Sequence, residues 1–296
     1  MDRRRRSAAV LCCAVLCILL ISCTKDKGKS GEEIVKTSIF SWEEEYILPE
    51  NETQVSRVME QLVCSAVYQQ IPMDTDEETV KAYLKRRGDK GQDVYYLTGA
   101  PEWGTEKNAE SMLEQVKRVS RLNQAAGEDG RFTGIVWDVE PYLLDEWDEN
   151  AAQVMKQYIN NCKTAYQAAL EKELRVIVCI PYFYDNKGFE AELGDLAENA
   201  CDALAVMNYN KEDEAGQIRT ETELARTYGK GIIHIAELQK PGYHELTENN
   251  TYYYDGIEGV RESFSRLKED LEYSGLGFSW HYMRPALKLL GGEESS

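Results

Sequence analysis

The feature that most constrains the fold is a regular alternation of short apolar runs with longer helix-forming segments. Eight apolar runs of strand length follow one another, and the segments between them place apolar residues at helical spacing. Alternating β and α units predict a parallel sheet, and eight units within about 260 residues favour a (β/α)8 barrel over an open sheet. The predicted strands span residues 37–42, 62–68, 93–98, 132–138, 174–181, 203–207, 231–237 and 275–282, and the clearest helical patterns span 110–126, 150–171, 189–199 and 257–273.

The predicted barrel forms one domain over residues 36–290, followed by a short polar tail over residues 291–296. No Gly/Ser/Pro-rich linker divides it, which is consistent with a single large core. A Gly-rich dinucleotide fingerprint after the first strand is absent, and we expect no cofactor.

The N-terminus has the pattern of a bacterial export signal. Arg3 to Arg6 precede an apolar run that is short for a membrane span, and the run ends in Ser22-Cys23. This resembles a lipobox, so we expect residues 1–22 to be a lipoprotein signal peptide, Cys23 to be lipidated and residues 23–35 to be a polar tether. The chain would then be anchored at the bacterial cell surface or in the periplasm. An ordinary signal peptide or an uncleaved anchor helix are the alternatives.

The charge of the chain argues against nucleic acid as a partner. The formal net charge is −18, and removal of residues 1–22, with four Arg and one Asp, brings it to −21. Such a surface repels phosphate backbones and anionic headgroups, so membrane association would come from the lipid.

Four cysteines lie beyond the signal, and none has the spacing of metal ligands. Two of them, Cys64 and Cys179, fall in apolar runs where a free thiol behaves as a small hydrophobe, with a disulfide as the alternative. We expect no metal site.

Polar and aromatic residues cluster where the predicted strands end. In a (β/α)8 barrel the active site lies at the carboxyl ends of the strands. Aromatic faces stack on sugar rings and carboxylates or amides bond sugar hydroxyls, so this set of residues predicts a carbohydrate substrate. The strand-end candidates include Trp42, Asp138, Glu140, Tyr182, Tyr209, Asn210, Glu237 and Trp280.

Asp138 and Glu140 form the most informative pair. Residues i and i+2 of a strand share a face, which places these two carboxylates about 6–7 Å apart at Cα. Paired carboxylates on one face can transfer protons. A solvated strand end or a helix start within an acidic surface is the structural alternative.

The segment around this pair resembles family 18 glycoside hydrolases, the chitinases and endo-β-N-acetylglucosaminidases. Their fourth strand carries D-G-x-D-x-D-x-E, and Gly134, Asp138 and Glu140 match its glycine, last aspartate and glutamate. Thr133 and Val136 stand where the family has its first two aspartates.

Two further motifs of that family are matched in the same order along the chain. The sixth-strand Met-x-Tyr-Asp corresponds to Met207 and Tyr209, with Asn210 replacing the aspartate, and Trp280 resembles the tryptophan that ends the eighth strand. The third-strand motif is echoed only by Thr98-Gly99.

The resemblance implies substrate-assisted hydrolysis of glycans that contain N-acetylglucosamine. Glu140 would be the general acid, Asp138 would orient the 2-acetamido group, Tyr209 would donate a hydrogen bond to its oxygen, and Trp280 would floor the sugar site. Val136 removes the inner carboxylate that partners this aspartate in the family, so slower or absent activity is an alternative.

Two other functions fit the same barrel. In the large clan of retaining barrel glycosidases an acid Glu ends strand four and a nucleophilic Glu ends strand seven, which Glu140 and Glu237 would match. The clan usually has Asn before its acid, whereas this chain has Val139. A catalytically silent barrel that binds glycan at the cell surface is the third possibility.

His234 is expected in the core, and His281 is expected to point outward to the helices.

Overall fold

The chain forms a closed barrel of eight parallel strands in sequence order, as the alternation predicts. The computed structural model describes residues 37–127, 130–243 and 245–291. The predicted signal peptide, Cys23, the tether and most of the polar tail lie outside the described residues. No helix among the described residues combines the length and the apolar character needed to cross a bilayer.

The elements follow the β/α order, with β1 pairing with β8 to close the barrel. The strands are β1 (Thr37–Ser41), β2 (Ala66–Gln70), β3 (Asp93–Thr98), β4 (Phe132–Trp137), β5 (Arg175–Pro181), β6 (Ala203–Met207), β7 (Gly231–Glu237) and β8 (Leu276–His281). The helices are α1 (Glu52–Gln61), α2 (Glu77–Gly88), α3 (Glu110–Ala126), α4 (Asp145–Leu170), α5 (Glu190–Asn199), α6 (Glu214–Gln217), α7 (Arg219–Tyr228), α8 (Gly256–Leu271) and α9 (Met283–Leu289).

Strand β2 begins four residues later than predicted because the end of α1 takes the first apolar residues of that run. The amides of Leu62 and Cys64 donate to the carbonyls of Val58 and Met59, at 2.9 and 2.8 Å. Both side chains are buried in this turn. An apolar run can therefore end a helix as well as form a strand.

The main body of α4 begins where the pattern predicts it. Asn150 has a non-helical backbone, with φ −156° and ψ 69°, and separates the main helix from a preceding helical turn. Helix α8 ends two residues before the predicted end at 273, because Glu272 adopts a left-handed φ of 46°.

Interlocking side chains fill the barrel interior below the strand ends. Phe40, Tyr68 and Tyr95 pack edge to face, with ring centroids 5.0 and 5.5 Å apart. Such pairs each contribute about 0.5–1.5 kcal/mol beyond the area that they bury. The small residues Ala203 and Ala205 of β6 share this interior cluster. The four cysteines of the described chain are free and buried.

Candidate active site

A pocket of about 570 Å³ opens at the carboxyl ends of the strands. This volume lies within the range of about 300–1,000 Å³ that is usual for small-ligand sites. Its position matches the end of the barrel where enzymes of this fold place their active sites. Its walls are formed by Trp42, Glu43, Asp138, Glu140, Leu143, Met207, Tyr209, Glu237, Gln239, Leu246, His281 and Tyr282.

Two glycines allow the segment that carries Asp138 and Glu140 to pack closely against the neighbouring backbone. A Cβ on Gly134 would lie 2.2 Å from the Arg175 carbonyl oxygen, and one on Gly99 would lie 1.8 Å from that of Asp138. The Asp138 amide also donates to the Thr98 carbonyl at 2.9 Å, which extends the β3–β4 pairing by one residue. This close packing fixes the position of the chain at the end of β4. Asp138 and Glu140 both line the pocket.

Asp138 occupies an environment that favours its protonated form. Its Oδ1 is buried and has no hydrogen-bond partner among the described residues. Burial, and then the neighbouring Glu140 carboxylate, raise the pKa of Asp138 to about 7, against smaller opposing effects of His281 and Cys179. Near neutral pH a substantial fraction of the Asp138 carboxyl is therefore protonated.

Tyr142 holds the second carboxyl group of the pair. Its hydroxyl donates a hydrogen bond to Glu140 Oε2, and no described residue bonds Oε1. Burial, followed by the Glu140 carboxylate, raises the pKa of Tyr142 above its ordinary value, so the tyrosine remains a donor. Tyr142 was not predicted from the sequence, although it lies only two residues beyond Glu140, on the turn that starts at Pro141.

A hydrogen-bonded chain joins Glu237, His281 and Trp42 across the pocket wall. His281 Nδ1 lies 2.7 Å from Glu237 Oε2, and Trp42 Nε1 donates to His281 Nε2 at 3.2 Å. Since an indole can only donate, this geometry assigns the proton of a neutral His281 to Nδ1. Glu237 Oε1 also accepts from the amides of Leu238 and Gln239, at 2.8 and 2.6 Å.

His281 lies inside the pocket, whereas the sequence analysis expected it to point outward. Its burial disfavours the charged ring, but Glu237 and the more distant Asp138 carboxylate outweigh this effect and raise the pKa of His281. A protonated His281 would lose the bond from Trp42, because both nitrogens would then be donors.

Tyr209 and Met207 both line the pocket, as the sixth-strand motif suggests. The Tyr209 ring tilts against His281 with centroids 5.9 Å apart. Burial, and then the Glu237 and Asp138 carboxylates, raise the pKa of Tyr209 well above its ordinary value. The hydroxyl therefore stays protonated among these acidic groups.

Trp280 does not form the floor of the pocket, contrary to the sequence prediction. Its side chain is buried in the layer between barrel and helices and packs against Phe264 of α8, with ring centroids 5.3 Å apart. Successive strand residues point to opposite faces, so Trp280 faces outward where His281 faces inward. The alternation of β8, with the large Phe278 and Trp280 on one face, is a signal that could have shown this.

Two further predicted binding residues lie outside the pocket lining. Asn210 Oδ1 accepts from the Glu212 amide and from Asn249 Nδ2, at 3.1 and 2.8 Å, and so ties two loops together. Tyr182 packs edge to face on Phe183, with centroids 5.9 Å apart. The aromatic surface of the pocket comes instead from Trp42, Tyr209 and Tyr282.

Among the described residues, no group of three or more His, Cys, Asp or Glu side chains is arranged to hold a metal ion. The chemistry that the pocket itself offers is proton transfer by carboxyl groups, hydrogen bonding and aromatic contact.

Solved structures share the barrel. No protein-family model matches the sequence, and no curated protein does. The spore cortex-lytic enzyme SleL of Bacillus megaterium QM B1551 aligns at 13% identity and a TM-score of 0.53, over 88% of this chain and 74% of its own. A chitinase of Chromobacterium violaceum ATCC 12472 aligns at 13% identity and a TM-score of 0.53, over 88% and 100%.

A sugar epimerase matches the same barrel. The D-psicose 3-epimerase of Clostridium cellulolyticum H10 aligns at 10% identity and a TM-score of 0.51, covering 86% of this chain and 97% of its own. Likeness at this level of identity establishes a fold common to glycoside hydrolases and other enzymes, and the reaction has to be argued from the site.

Proposed function

We propose that the protein is a glycoside hydrolase in which Glu140 is the general acid. The observation that carries the proposal is the carboxyl pair in the pocket, where burial raises the pKa of Asp138 to about 7 beside Glu140. Asp138 holds a proton near neutral pH, and through Glu140 beside it that proton can reach the oxygen of a glycosidic bond.

Each neighbour of the pair has a role in this reaction. Glu140 gives its proton to the leaving oxygen as the bond to the anomeric carbon breaks. The Tyr142 hydroxyl, which donates to Oε2, stabilises the carboxylate that results. Trp42 and Tyr282 present aromatic surface for the apolar faces of the sugar rings.

We further propose a substrate that contains N-acetylglucosamine, cleaved with retention by attack of its own acetamido oxygen. Asp138 would accept a hydrogen bond from the acetamido N–H, and Tyr209 would donate one to the acetamido oxygen. The proximity of Tyr209 to the Asp138 carboxylate, and its protonated state, support these roles. Val136 lies in the apolar interior, so burial rather than an inner carboxylate sets the pKa of Asp138.

The geometry of Glu237 argues against its use as a nucleophile. Both carboxylate oxygens already accept hydrogen bonds, from two backbone amides and from His281. Neither oxygen is therefore without a hydrogen-bond partner that an attack on the anomeric carbon would have to displace. We assign Glu237 to holding His281, and through it Trp42, in the pocket wall.

The test uses the full-length protein in detergent and three fluorogenic substrate sets: N-acetyl-chitooligosaccharides, N-glycans and plain β-glucosides. We expect hydrolysis of acetamido substrates only, and a fall in kcat of about 10²–10⁴-fold in Glu140→Gln. Glu146→Gln, a change at a nearby exposed carboxylate, serves as the matched control and should retain activity.

Hydrolysis of plain glucosides that is lost in Glu237→Gln would move the nucleophile to Glu237 and overturn the substrate-assisted mechanism. A wild-type protein that binds glycan but hydrolyses none of the three sets would instead favour the silent, glycan-binding barrel.

A further inference from the structure

A second pocket adjoins the first and has the opposite charge character. It has a volume of about 310 Å³, and Gln239 and Tyr282 belong to the walls of both pockets. We refer to it as the basic pocket. It is lined by Gln239, Lys240, Tyr243, Tyr253, Tyr282, Arg284, Pro285 and Lys288.

Among the residues that the structure describes, three cationic side chains and no carboxylate line the basic pocket. This is unusual in a chain with 52 acidic and 34 basic residues, and it contrasts with the four carboxyl groups that line the catalytic pocket. A concave surface lined by one sign of charge concentrates ions of the opposite sign. The basic pocket is therefore suited to an anionic group.

Arg284 forms the boundary between the two pockets. Its Nε lies 3.1 Å from Glu43 Oε1, and its terminal nitrogen donates to Glu45 at 2.9 Å. Glu43 also lines the catalytic pocket, so this ion pair fixes the guanidinium beside the place where a bound sugar would sit.

Lys240 supplies a positive charge that no described residue neutralises. It is exposed, follows the end of β7 by three residues, and forms no ion pair with the described residues. Tyr243 and Tyr253 line the same pocket, and the Tyr243 side chain is 63% exposed. Ammonium groups beside aromatic faces can bind a sugar that carries an acidic substituent.

We propose that the basic pocket is a subsite for an anionic sugar, carrying a carboxylate or a phosphate, next to the sugar that is cleaved at Asp138 and Glu140. The adjacency of the site to the cleaved sugar rests on the proposed function; the preference for an anion rests on the pocket lining alone. The substrate class is then an acidic glycan. A neutral chain of N-acetylglucosamine has no group for Lys240 to pair with.

The test compares two disaccharides that differ by one carboxylate, using calorimetric titration of the full-length protein in detergent. N,N′-diacetylchitobiose is the neutral probe, and the disaccharide of N-acetylglucosamine and N-acetylmuramic acid, which adds a lactyl carboxylate, is the acidic probe. Glu140→Gln is the host protein, so that neither probe is consumed. N-acetylglucosamine 6-phosphate is titrated as the phosphate probe.

We expect an anionic probe to bind about 3–10-fold more tightly than the neutral disaccharide at low salt, and this preference to shrink in 0.5 M salt because exposed charges are screened. Lys240→Gln should remove most of the preference and leave the neutral probe unaffected. The matched control is Lys117→Gln, an exposed lysine of α3 far along the chain from both pockets, which should change neither.

Equal binding of neutral and anionic probes, or equal effects of Lys240→Gln and Lys117→Gln, would overturn the subsite. The relative affinities of the carboxylate and phosphate probes decide which anion it takes. Since titration needs no turnover, a failed hydrolysis assay with a retained anionic preference would reject the proposed reaction and leave the subsite standing. Hydrolysis of acetamido substrates without any preference for an anionic probe would support the proposed reaction and reject the subsite.

Discussion

At the residue scale, the carboxyl groups of the pocket differ in what surrounds them. Asp138 has an unpartnered buried oxygen and a carboxylate neighbour, which together favour its neutral form. Glu237 instead accepts three hydrogen bonds, from two backbone amides and from His281. The pocket therefore combines a carboxyl group that holds a proton near neutral pH with one whose hydrogen bonds fix its position and orient His281.

The raised pKa of Asp138 predicts a specific dependence of stability on pH. The folded protein favours the protonated carboxyl, so the contribution of this group to stability is present below its unfolded pKa, near 3.8, and is lost as pH rises through about 7. Asp138→Asn has no carboxyl group to ionise at this position, so its stability does not fall in this way as the pH rises. The variant should match wild type at pH 4 and be more stable by about 1–3 kcal/mol at pH 8, measured by urea unfolding.

Asp148→Asn, a change at an exposed carboxylate, is the control and should track wild type at both pH values. A variant of Asp138 that is destabilised more at pH 8 than at pH 4 would show that the fold stabilises the carboxylate as an anion. An equal change in stability at both pH values would show that folding does not raise the pKa of Asp138.

At the scale of elements, the placement of the carboxyl pair depends on how tightly β3, β4 and β5 approach one another. Gly99 and Gly134 each face a neighbouring carbonyl at a distance that excludes any side chain. The loop after β3 and the end of β4 are thereby held together, and Asp138 lies at the contact.

Gly99→Ala should therefore disturb both stability and activity. The added methyl group would meet the Asp138 backbone, and overpacking of this kind costs about 1–3 kcal/mol. Gly194→Ala in α5 is the matched control, since its Cβ would meet only side-chain atoms at 3.7 Å. It should stabilise the protein by about 0.5–1 kcal/mol, because alanine favours a helix over glycine. Thermal unfolding and kcat of both variants test these expectations. An unchanged kcat in Gly99→Ala would contradict the role of Gly99 in positioning Asp138.

The two faces of β8 and β1 predict different roles for two tryptophans. Trp280 packs on α8 outside the barrel, whereas Trp42 lines the pocket and donates to His281. Trp280→Phe should lower the free energy of unfolding by about 1–2 kcal/mol with little change in KM. Trp42→Phe should raise KM about 3–10-fold with little change in stability, since substrate contact is what it loses. The reverse pattern in chemical unfolding and steady-state kinetics would restore Trp280 to the sugar site.

At the scale of the whole molecule, the barrel combines a pocket lined by carboxyl groups and the basic pocket at one end. The first pocket draws on residues from Trp42 to Tyr282, and the basic pocket draws on the loop after β7 and on α9. The chain as a whole is strongly acidic, with a formal net charge of −18, which disfavours binding to nucleic acid.

We propose that the chain is exported and lipid-anchored through Cys23, at the bacterial cell surface or in the periplasm. Cys23→Ser should then abolish incorporation of a labelled fatty acid in a bacterial host and move the protein from the membrane to the soluble fraction. Cys64→Ser, at a buried thiol of the barrel, is the control and should leave labelling unchanged. Labelling that persists in Cys23→Ser would reject the predicted lipidation site.

The number, order and type of the barrel elements could be predicted because their signal is local. Periods of two and 3.6 residues distinguish strand from helix within a short window, and alternation of the two implies a parallel closed sheet. The pairing of Asp138 with Glu140 followed in the same way, since both lie on one short segment. The start of β2 was predicted too early because the apolar Leu62 and Cys64 are buried at a helix end, as they would be in a strand.

The sequence alone thus determined the (β/α)8 architecture and a set of strand-end residues that includes the carboxyl pair. Only the tertiary structure decided which of those residues meet: His281 enters the pocket in place of Trp280, and Glu237 is bonded to His281. The physical reason is that side-chain direction depends on strand register and barrel closure, and that proton affinity depends on burial. Both are properties of segments brought together from distant parts of the chain.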